Sequence, residues 1–343
     1  MTRATRLPRL TRRTLLTSLL LAGAGVSAAA CSSGTGAQSR ASAGAGGVVI
    51  GMTYTPNVQF APFYMALDEG RYASGVSLRH HGEQEGQFDA LLAGTEQIVV
   101  AGGDEAIVAA SNGNDLVVIG GYYQRYPGCV IVPEASDITA LADLKGRSIG
   151  TPGRTGETWF SLLVALSTAG LTEQDVTIEE IGYTQQAALA GGKVEAIVGF
   201  SNNDAVQLAQ NGTPVRTLEI GQDVPLLGAS LVTTSTLLAE RREELADAVV
   251  ASAQGMAAFV ADPDAAVEAS AQYVPDLVDP TQAAHAREVA VATAELVAPT
   301  SQSLIGSVTV DQVSRTIDFL AAQQLLGPTG LSAETVCDPL LDA

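Results

Sequence analysis

From residue 48 to about residue 233, short runs of apolar and β-branched residues alternate with longer stretches in which apolar residues recur every three or four positions. The short runs predict β-strands, and the longer stretches predict amphipathic helices. Strands separated by helices of this length are typical of parallel α/β units. The predicted strands cover 48–54, 76–80, 97–101, 117–122, 129–132, 148–151, 177–181, 196–200, 215–219 and 229–233. The predicted helices cover 60–71, 84–93, 104–113, 156–169, 184–191, 203–210 and 236–262.

The strand pattern stops after about residue 237, and Ala-rich sequence with helical periodicity continues to the C-terminus. Four prolines, Pro263, Pro275, Pro280 and Pro299, interrupt this periodicity. Because proline removes a helical hydrogen bond and clashes with the preceding turn, we expect helix boundaries at these positions. The sequence therefore predicts a helical C-terminal part.

The first half of the chain contains an internal repetition. Residues 51–56 end one predicted strand and precede a helix, and residues 148–153 do the same in a later part of the chain. This repetition predicts two similar α/β lobes. Open α/β sheets bind ligands at the carboxyl ends of their strands, where helix N-termini also gather. Two such edges that face each other would form a cleft, which is a common place for a ligand.

The N-terminus has the features of an export signal. Five arginines and no acidic residue lie in the first 30 residues, and an apolar run covers 15–30. That run is rich in Ala and Gly and is shorter than the roughly 20 apolar residues of a membrane span. We therefore predict that residues 1–30 form a signal peptide. Arg12 and Arg13 resemble a twin-arginine signal, and ordinary Sec export with two chance arginines is the alternative.

The small residues before Cys31 resemble a bacterial lipobox. This resemblance predicts that Cys31 is lipidated and becomes the N-terminus after cleavage. Residues 31–47 are mostly Ser, Gly, Ala and Thr, which predicts a lipidated flexible tether. We expect an exported protein that is anchored to the outer face of the cell membrane. The alternative is ordinary signal-peptidase cleavage at the same bond, which would release a soluble protein.

The chain is acidic, with a formal net charge of −19. The only charged residues of the predicted signal peptide are its five arginines, so the mature chain is more acidic still. This charge argues against nucleic acid as a partner and disfavours a highly anionic ligand. Cys129 and Cys337 remain after lipidation of Cys31. We expect two separate buried thiols, although export would permit a disulfide between them.

Five motifs, in this order, carry a resemblance to a known family. They are YTPNVQFAPFY at 54–64, GGDE at 102–105, DLKGR at 143–147, GRTGETW at 153–159 and GFSNN at 199–203. Together they resemble type II periplasmic solute-binding lipoproteins of ABC importers. The family includes binders of alkanesulfonates, nitrate, thiamine pyrimidine precursors and riboflavin. The resemblance extends over about residues 45–330.

The resemblance implies a fold of two α/β lobes that are joined by a two-strand hinge and close on a ligand. The first lobe would contain residues 48–130 and 228–343, and the second would contain residues 134–224. The hinge would lie near residues 129–134 and 223–230. The expected class is therefore an α/β, two-lobed periplasmic-binding-protein type II fold with a helical C-terminal part.

The candidate ligand-binding residues lie in loops at predicted strand ends and helix starts. Aromatic rings there could stack on a flat heterocycle, amides could pair with its edge, and carboxylates could accept from its amino groups. The aromatic rings could instead pack in the core, and the acids could cap helix N-termini. The candidates are Tyr54, Asn57, Gln59, Phe60, Asp104, Glu105, Tyr123, Thr155, Glu157, Trp159, Asn202 and Asn203.

The function implied by the resemblance is capture of a small heteroaromatic nutrient, similar to a thiamine pyrimidine precursor, for an ABC importer. Riboflavin is the first alternative ligand, an alkanesulfonate or nitrate is the second, and a ligand-sensing surface lipoprotein without transport is the alternative class. The expected partners are the small molecule, a permease with its ATPase and the membrane, and we expect a monomer. No nucleophile elbow, Walker loop or Cys cluster is present, so we expect no enzyme activity, cofactor or metal.

Overall fold

The computed structural model describes residues 47–82, 85–301 and 303–341. The signal peptide, Cys31 and the tether up to residue 46 lie outside the described residues, so the predictions about them stay predictions. Within the described part, the strands are β1 Val49–Met52, β2 Ser77–His80, β3 Ile98–Gly102, β4 Val117–Gly121, β5 Gly128–Pro133, β6 Ser148–Thr151, β7 Thr177–Glu180, β8 Ala196–Phe200, β9 Val215–Glu219 and β10 Ala229–Thr233.

The helices of the described part include all those predicted up to residue 262. They are α1 Ala61–Asp68, α2 Asp89–Leu92, α3 Gly103–Ser111, α4 Gly156–Thr168, α5 Gln185–Ala190, α6 Asp204–Gln210, α7 Ser235–Ala261, α8 Pro263–Ser270, α9 Pro280–Val297, α10 Val310–Ala322 and α11 Ala333–Val336. Helix α2 is shorter than the predicted 84–93. The ten strands lie where the sequence predicts them, with ends that differ by up to two residues.

The strands form two five-stranded sheets, with orders β2-β1-β3-β10-β4 and β7-β6-β8-β5-β9. The prediction of a two-lobed α/β fold is confirmed. The strands are parallel, as predicted, except for one strand in each sheet. Strand β10 is antiparallel to β3 and β4, and β5 is antiparallel to β8 and β9. Both are the strands that the chain enters directly after it passes from one sheet to the other, and no helix reverses its direction there.

The chain passes between the sheets twice, through residues 122–127 and again through residues 220–228. Strand β5 pairs only with strands of the second sheet, although the sequence divides the lobes at residue 130. We therefore propose a first lobe boundary within residues 122–127. The remaining predicted lobe limits stay a proposal.

The core of the first lobe lies between its sheet and the helices α1 and α7. Phe63, Tyr64 and Phe259 are fully buried there. Burial of a side chain of this kind contributes about 1.5–3 kcal/mol relative to exposure. Gly255 lets the two helices approach, because a Cβ there would lie 2.2 Å from the Pro62 carbonyl oxygen. Helix α7 is long and apolar enough to span a membrane by composition, and its burial against this core identifies it as a core helix.

Two of the C-terminal prolines begin helices. Pro263 is the first residue of α8 and Pro280 is the first residue of α9. Asp262 and Asp279 precede them, and each accepts hydrogen bonds from two backbone amides of the first turn. Proline suits this position because its missing N–H would have no partner there. The predicted helical C-terminal part is confirmed.

The two cysteines outside the leader are separate buried thiols, as the sequence predicts. Cys129 lies in β5 of the second lobe, and Cys337 pairs with Val118 in the first lobe through an isolated bridge. Burial raises the pKa of the Cys129 thiol well above its ordinary value and raises that of Cys337 to about 12. Neither thiol is therefore suited to act as a thiolate nucleophile.

Candidate functional site

Three carboxyl groups from both lobes converge between the strand ends. Asp104 and Glu105 begin α3 of the first lobe, and Glu157 begins α4 of the second. A Cβ added to Gly102 would lie 2.7 Å from Glu105 Oε2, 3.0 Å from Glu157 Oε1 and 3.2 Å from Asp104 Oδ1. The carboxyl groups therefore surround one point where the lobes meet, and a larger residue at position 102 would require them to move.

Neighbouring groups hold these carboxyls in place. The Tyr126 hydroxyl donates to Asp104 Oδ2 at 2.9 Å, and the Gln87 side-chain amide donates to Glu105 Oε2 at 2.8 Å. The Glu105 carboxyl also interacts with the backbone N–H of Glu157, across the lobes. These contacts fix the carboxyl groups in defined orientations.

Burial raises the pKa of all three carboxyl groups. The charge of Glu105 further raises the pKa of Asp104, and the charges of Asp104 and Glu105 further raise that of Glu157. Like charges taken out of water disfavour ionisation of each other. A ligand that supplies hydrogen-bond donors or positive charge would therefore stabilise the ionised form of these carboxyl groups.

A second polar group lies beside the acids and also joins the lobes. The Asn202 side-chain amide, at the end of β8, donates to the Thr293 hydroxyl on α9 at 3.0 Å and to the Tyr123 hydroxyl at 3.3 Å. The Tyr123 hydroxyl also interacts with the Gln59 side chain. This chain of contacts connects the loop after β1 with the second lobe.

Three buried acceptor oxygens in this region have no hydrogen-bond partner within the described protein. They are Gln87 Oε1, Glu157 Oε1 and Asn202 Oδ1. A buried polar atom without a partner costs about 1–3 kcal/mol. Donors on a bound molecule would satisfy these oxygens and recover that free energy. The two amide oxygens are acceptors, and Glu157 Oε1 is an acceptor when its carboxyl is ionised, so these atoms favour a ligand that is rich in N–H or O–H groups.

Six of the twelve candidate residues lie in these two polar groups, namely Gln59, Asp104, Glu105, Tyr123, Glu157 and Asn202. Three others lie in the connection from β1 to α1. Tyr54, two residues after β1, is 65% exposed. Asn57 caps the short 3-10 helix Val58–Phe60, and its oxygen accepts from the Gln59 backbone N–H at 2.9 Å. Phe60 is buried edge-on against His80.

The remaining three candidates belong to the second lobe. Trp159 is 4% exposed in the apolar core, with the Arg154 guanidinium 4.8 Å from the centre of its ring. Thr155 is the exposed residue before α4, and its side chain makes no cap hydrogen bond. Asn203 accepts from the Gln207 side chain at 2.6 Å on α6. The structure thus gives these residues local contacts, and their roles toward a ligand stay predictions.

Two residues of the site are absent from the sequence prediction. Gln87 lies in a segment predicted as helix, and no sequence signal distinguishes it from the neighbouring polar residues. Thr293 lies in the Ala-rich α9, and a hydroxyl on the buried face of that helix is the signal that could have identified it. Both positions become visible only through contacts between distant parts of the chain.

Neither arginine close to these loops is directed at the polar groups. Arg154 forms ion pairs with Glu173 and Glu180. Arg125 donates to the backbone carbonyls of Glu295 and Ala298. In addition, no group of three or more His, Cys, Asp or Glu side chains within the described ranges could hold a metal ion.

The two lobes and their mixed sheets define a periplasmic-binding-protein fold. Residues 57–266 match the family model described as NMT1/THI5 like, and the chain belongs to this family. It is 33% identical over 234 residues to the riboflavin-binding protein RibY of Chloroflexus aurantiacus, which is 67% of each chain.

Solved structures share the fold. The periplasmic aliphatic sulphonate binding protein SsuA from Escherichia coli has a TM-score of 0.67 and 20% identity, covering 84% of this chain and 91% of that chain. The desulfurization enzyme DSZB has a TM-score of 0.59 and 18% identity, covering 85% and 96%. The fold therefore serves binding proteins and at least one enzyme, and the similarity in sequence is to a binding protein.

Proposed function

We propose that this chain is the solute-binding component of an ABC-type importer and closes on a flat heteroaromatic nutrient, with riboflavin as the first candidate. The observation that carries this proposal is that three residues of the polar groups between the lobes, Gln87, Glu157 and Asn202, each have a buried oxygen without a hydrogen-bond partner among the described residues. The similarity to RibY, a protein named for riboflavin binding, supports the choice of ligand.

The chemistry of riboflavin suits these acceptors. Its ring system carries one imide N–H, and its side chain carries several hydroxyl groups, so it offers many donors and no charge. A thiamine pyrimidine precursor also offers donors, through an amino group and a hydroxyl. Burial raises the pKa of the Glu157 carboxyl, and a buried carboxyl of this kind suits an uncharged partner. An anionic sulfonate would meet three carboxyl groups and no free arginine, which disfavours it.

The proposed mechanism is closure of the lobes around the ligand. Contacts from both lobes favour the closed form, so binding shifts an existing equilibrium toward it. We propose that export and the lipid on Cys31 hold the protein at the outer face of the membrane, where the closed monomer docks on a permease. In this mechanism the permease recognises the surface of the closed, ligand-bound form.

A ligand panel tests the proposal. The melting temperature of the purified protein without its signal peptide is measured with each of riboflavin, a thiamine pyrimidine precursor, an alkanesulfonate and nitrate in turn. A ligand present at 100 times its Kd adds about 2.7 kcal/mol of stability. We expect the largest shift with riboflavin, together with quenching of the emission of Trp159, the single tryptophan. A shift with the sulfonate or nitrate and none with either heterocycle would refute the proposed ligand class.

A further inference from the structure

Helix α4 of the second lobe begins without a cap of its own. Thr155 stands at the capping position, but its side chain makes no hydrogen bond to the first turn. The first backbone N–H groups of a helix lack intrahelical partners and carry partial positive charge. A helix of 13 residues that starts in this way offers an anion-binding position at its N-terminus.

A carboxyl group of the opposite lobe already occupies this position. Glu105 interacts with the backbone N–H of Glu157. A Cβ on Gly156 would lie 2.9 Å from Glu105 Oε1, and Gly156 has a φ of +78°, which favours glycine. The carboxyl is therefore in close contact with the first residues of α4.

Two further contacts keep Glu105 there. The Gln87 amide donates to its other oxygen, Oε2, at 2.8 Å, which leaves Oε1 toward the helix. The unpartnered Glu157 Oε1 lies on the same side of Gly102, so any anion that entered would also meet a second carboxyl. An incoming sulfonate would have to displace one carboxyl and approach another.

We infer that Glu105 is a specificity-determining residue, because its carboxyl takes the place at the α4 N-terminus that an anionic ligand would need. The inference deepens the proposed function, since it names the ligand class that the same cleft rejects. It concerns anions only and does not depend on which neutral heterocycle the protein binds.

The test is calorimetry with methanesulfonate and inorganic sulfate. E105A and E105S vacate the position. E105Q is the matched control, because it removes the charge but keeps an oxygen at the Glu157 N–H, and the free Gln87 Oε1 can accept from the introduced amide. E157Q is a second control, which removes one charge and leaves the position occupied. Circular dichroism and melting establish that each variant folds.

We expect E105A and E105S to bind methanesulfonate about tenfold more tightly than wild type, and E105Q and E157Q, which each remove one charge but leave the position occupied, to gain much less. Equal gains in E105Q or E157Q would show a general charge effect and overturn the inference, as would no gain in folded E105A and E105S. Titration of the wild-type protein with riboflavin is an independent experiment. If riboflavin does not bind, the proposed ligand is wrong, but the conclusion about Glu105 and anions is unaffected.

Discussion

Asn202 of the second lobe donates its side-chain amide to the hydroxyl of Thr293, on helix α9, at 3.0 Å. Both residues are almost completely buried. The contact joins the strand end of one lobe to the C-terminal helical part, which packs on the other. The contact between the lobes thus includes a direct hydrogen bond in addition to the acid cluster.

Replacement of Asn202 by alanine should lower the free energy of unfolding by about 1–3 kcal/mol, because the Thr293 hydroxyl and the Tyr123 hydroxyl lose a buried partner. Urea unfolding of N202A measures this loss. The side chain of its neighbour Asn203 accepts from the Gln207 side chain on α6, a local contact within the second lobe, so N203A is the control and should cost less. Equal losses in both variants would contradict a special role for Asn202.

A methyl group at Gly102 should force the three carboxyl groups apart. The added Cβ would approach their oxygens to 2.7–3.2 Å, so G102A should destabilise the protein by about 1–3 kcal/mol. Gly153 provides the matched control, because a Cβ there would have nothing within 4 Å. The melting temperatures of G102A and G153A, each compared with wild type, measure this effect. An unchanged melting temperature in G102A would mean that the carboxyl groups do not converge.

The raised pKa of the Glu157 carboxyl predicts a specific pH dependence. Burial and the charges of Asp104 and Glu105 raise it, so its contribution to stability is present below the ordinary carboxyl pKa, about 4, and is lost as pH rises toward the raised value. E157Q, which cannot ionise, should therefore be more stable than wild type at neutral pH. The difference should vanish on acidification.

Denaturant unfolding of wild type and E157Q over the acidic to neutral range measures this difference. Glu240, an exposed residue of α7, supplies the control E240Q, which should differ little from wild type at any pH. A constant difference between E157Q and wild type across the range would argue against the buried acid cluster.

Tyr54 has an exposed ring two residues after the end of β1. The His80 ring nitrogen Nδ1 lies 2.9 Å from the Tyr54 backbone oxygen and holds the loop, so the side chain is free to contact a ligand. If it stacks on the ring system, Y54A should weaken riboflavin binding about tenfold with little change in stability. Y54F keeps the ring and should bind like wild type. Unchanged affinity in Y54A would remove Tyr54 from the site.

Much of the fold could be predicted because the strands are short apolar runs between helical stretches, and such local patterns determine which segments form strands and helices. The directions of β5 and β10 could not be predicted from local patterns, because they depend on how the chain passes from one sheet to the other. The same limit applies to the site. Asp104, Glu105 and Glu157 follow strand ends and could be found locally, whereas Gln87 and Thr293 reach the site only through tertiary contacts.

Trp159 shows how little the sequence says about the direction of a side chain. Its position at the start of α4 predicts a ligand-stacking ring, which stays a prediction, and the structure shows the ring almost fully buried beside the Arg154 guanidinium. A helix start presents some side chains to the cleft and others to the sheet. Which face a residue takes depends on the angle at which the helix packs, and sequence spacing alone does not contain that angle.

Binding of a neutral, donor-rich ligand between the lobes can be measured by hydrogen–deuterium exchange with and without riboflavin, with sulfate as the control addition. We expect riboflavin to slow exchange at residues 102–105 of the first lobe and at residues 155–158 of the second, and sulfate to slow exchange at neither. Protection in one lobe only, or equal protection by sulfate, would contradict it.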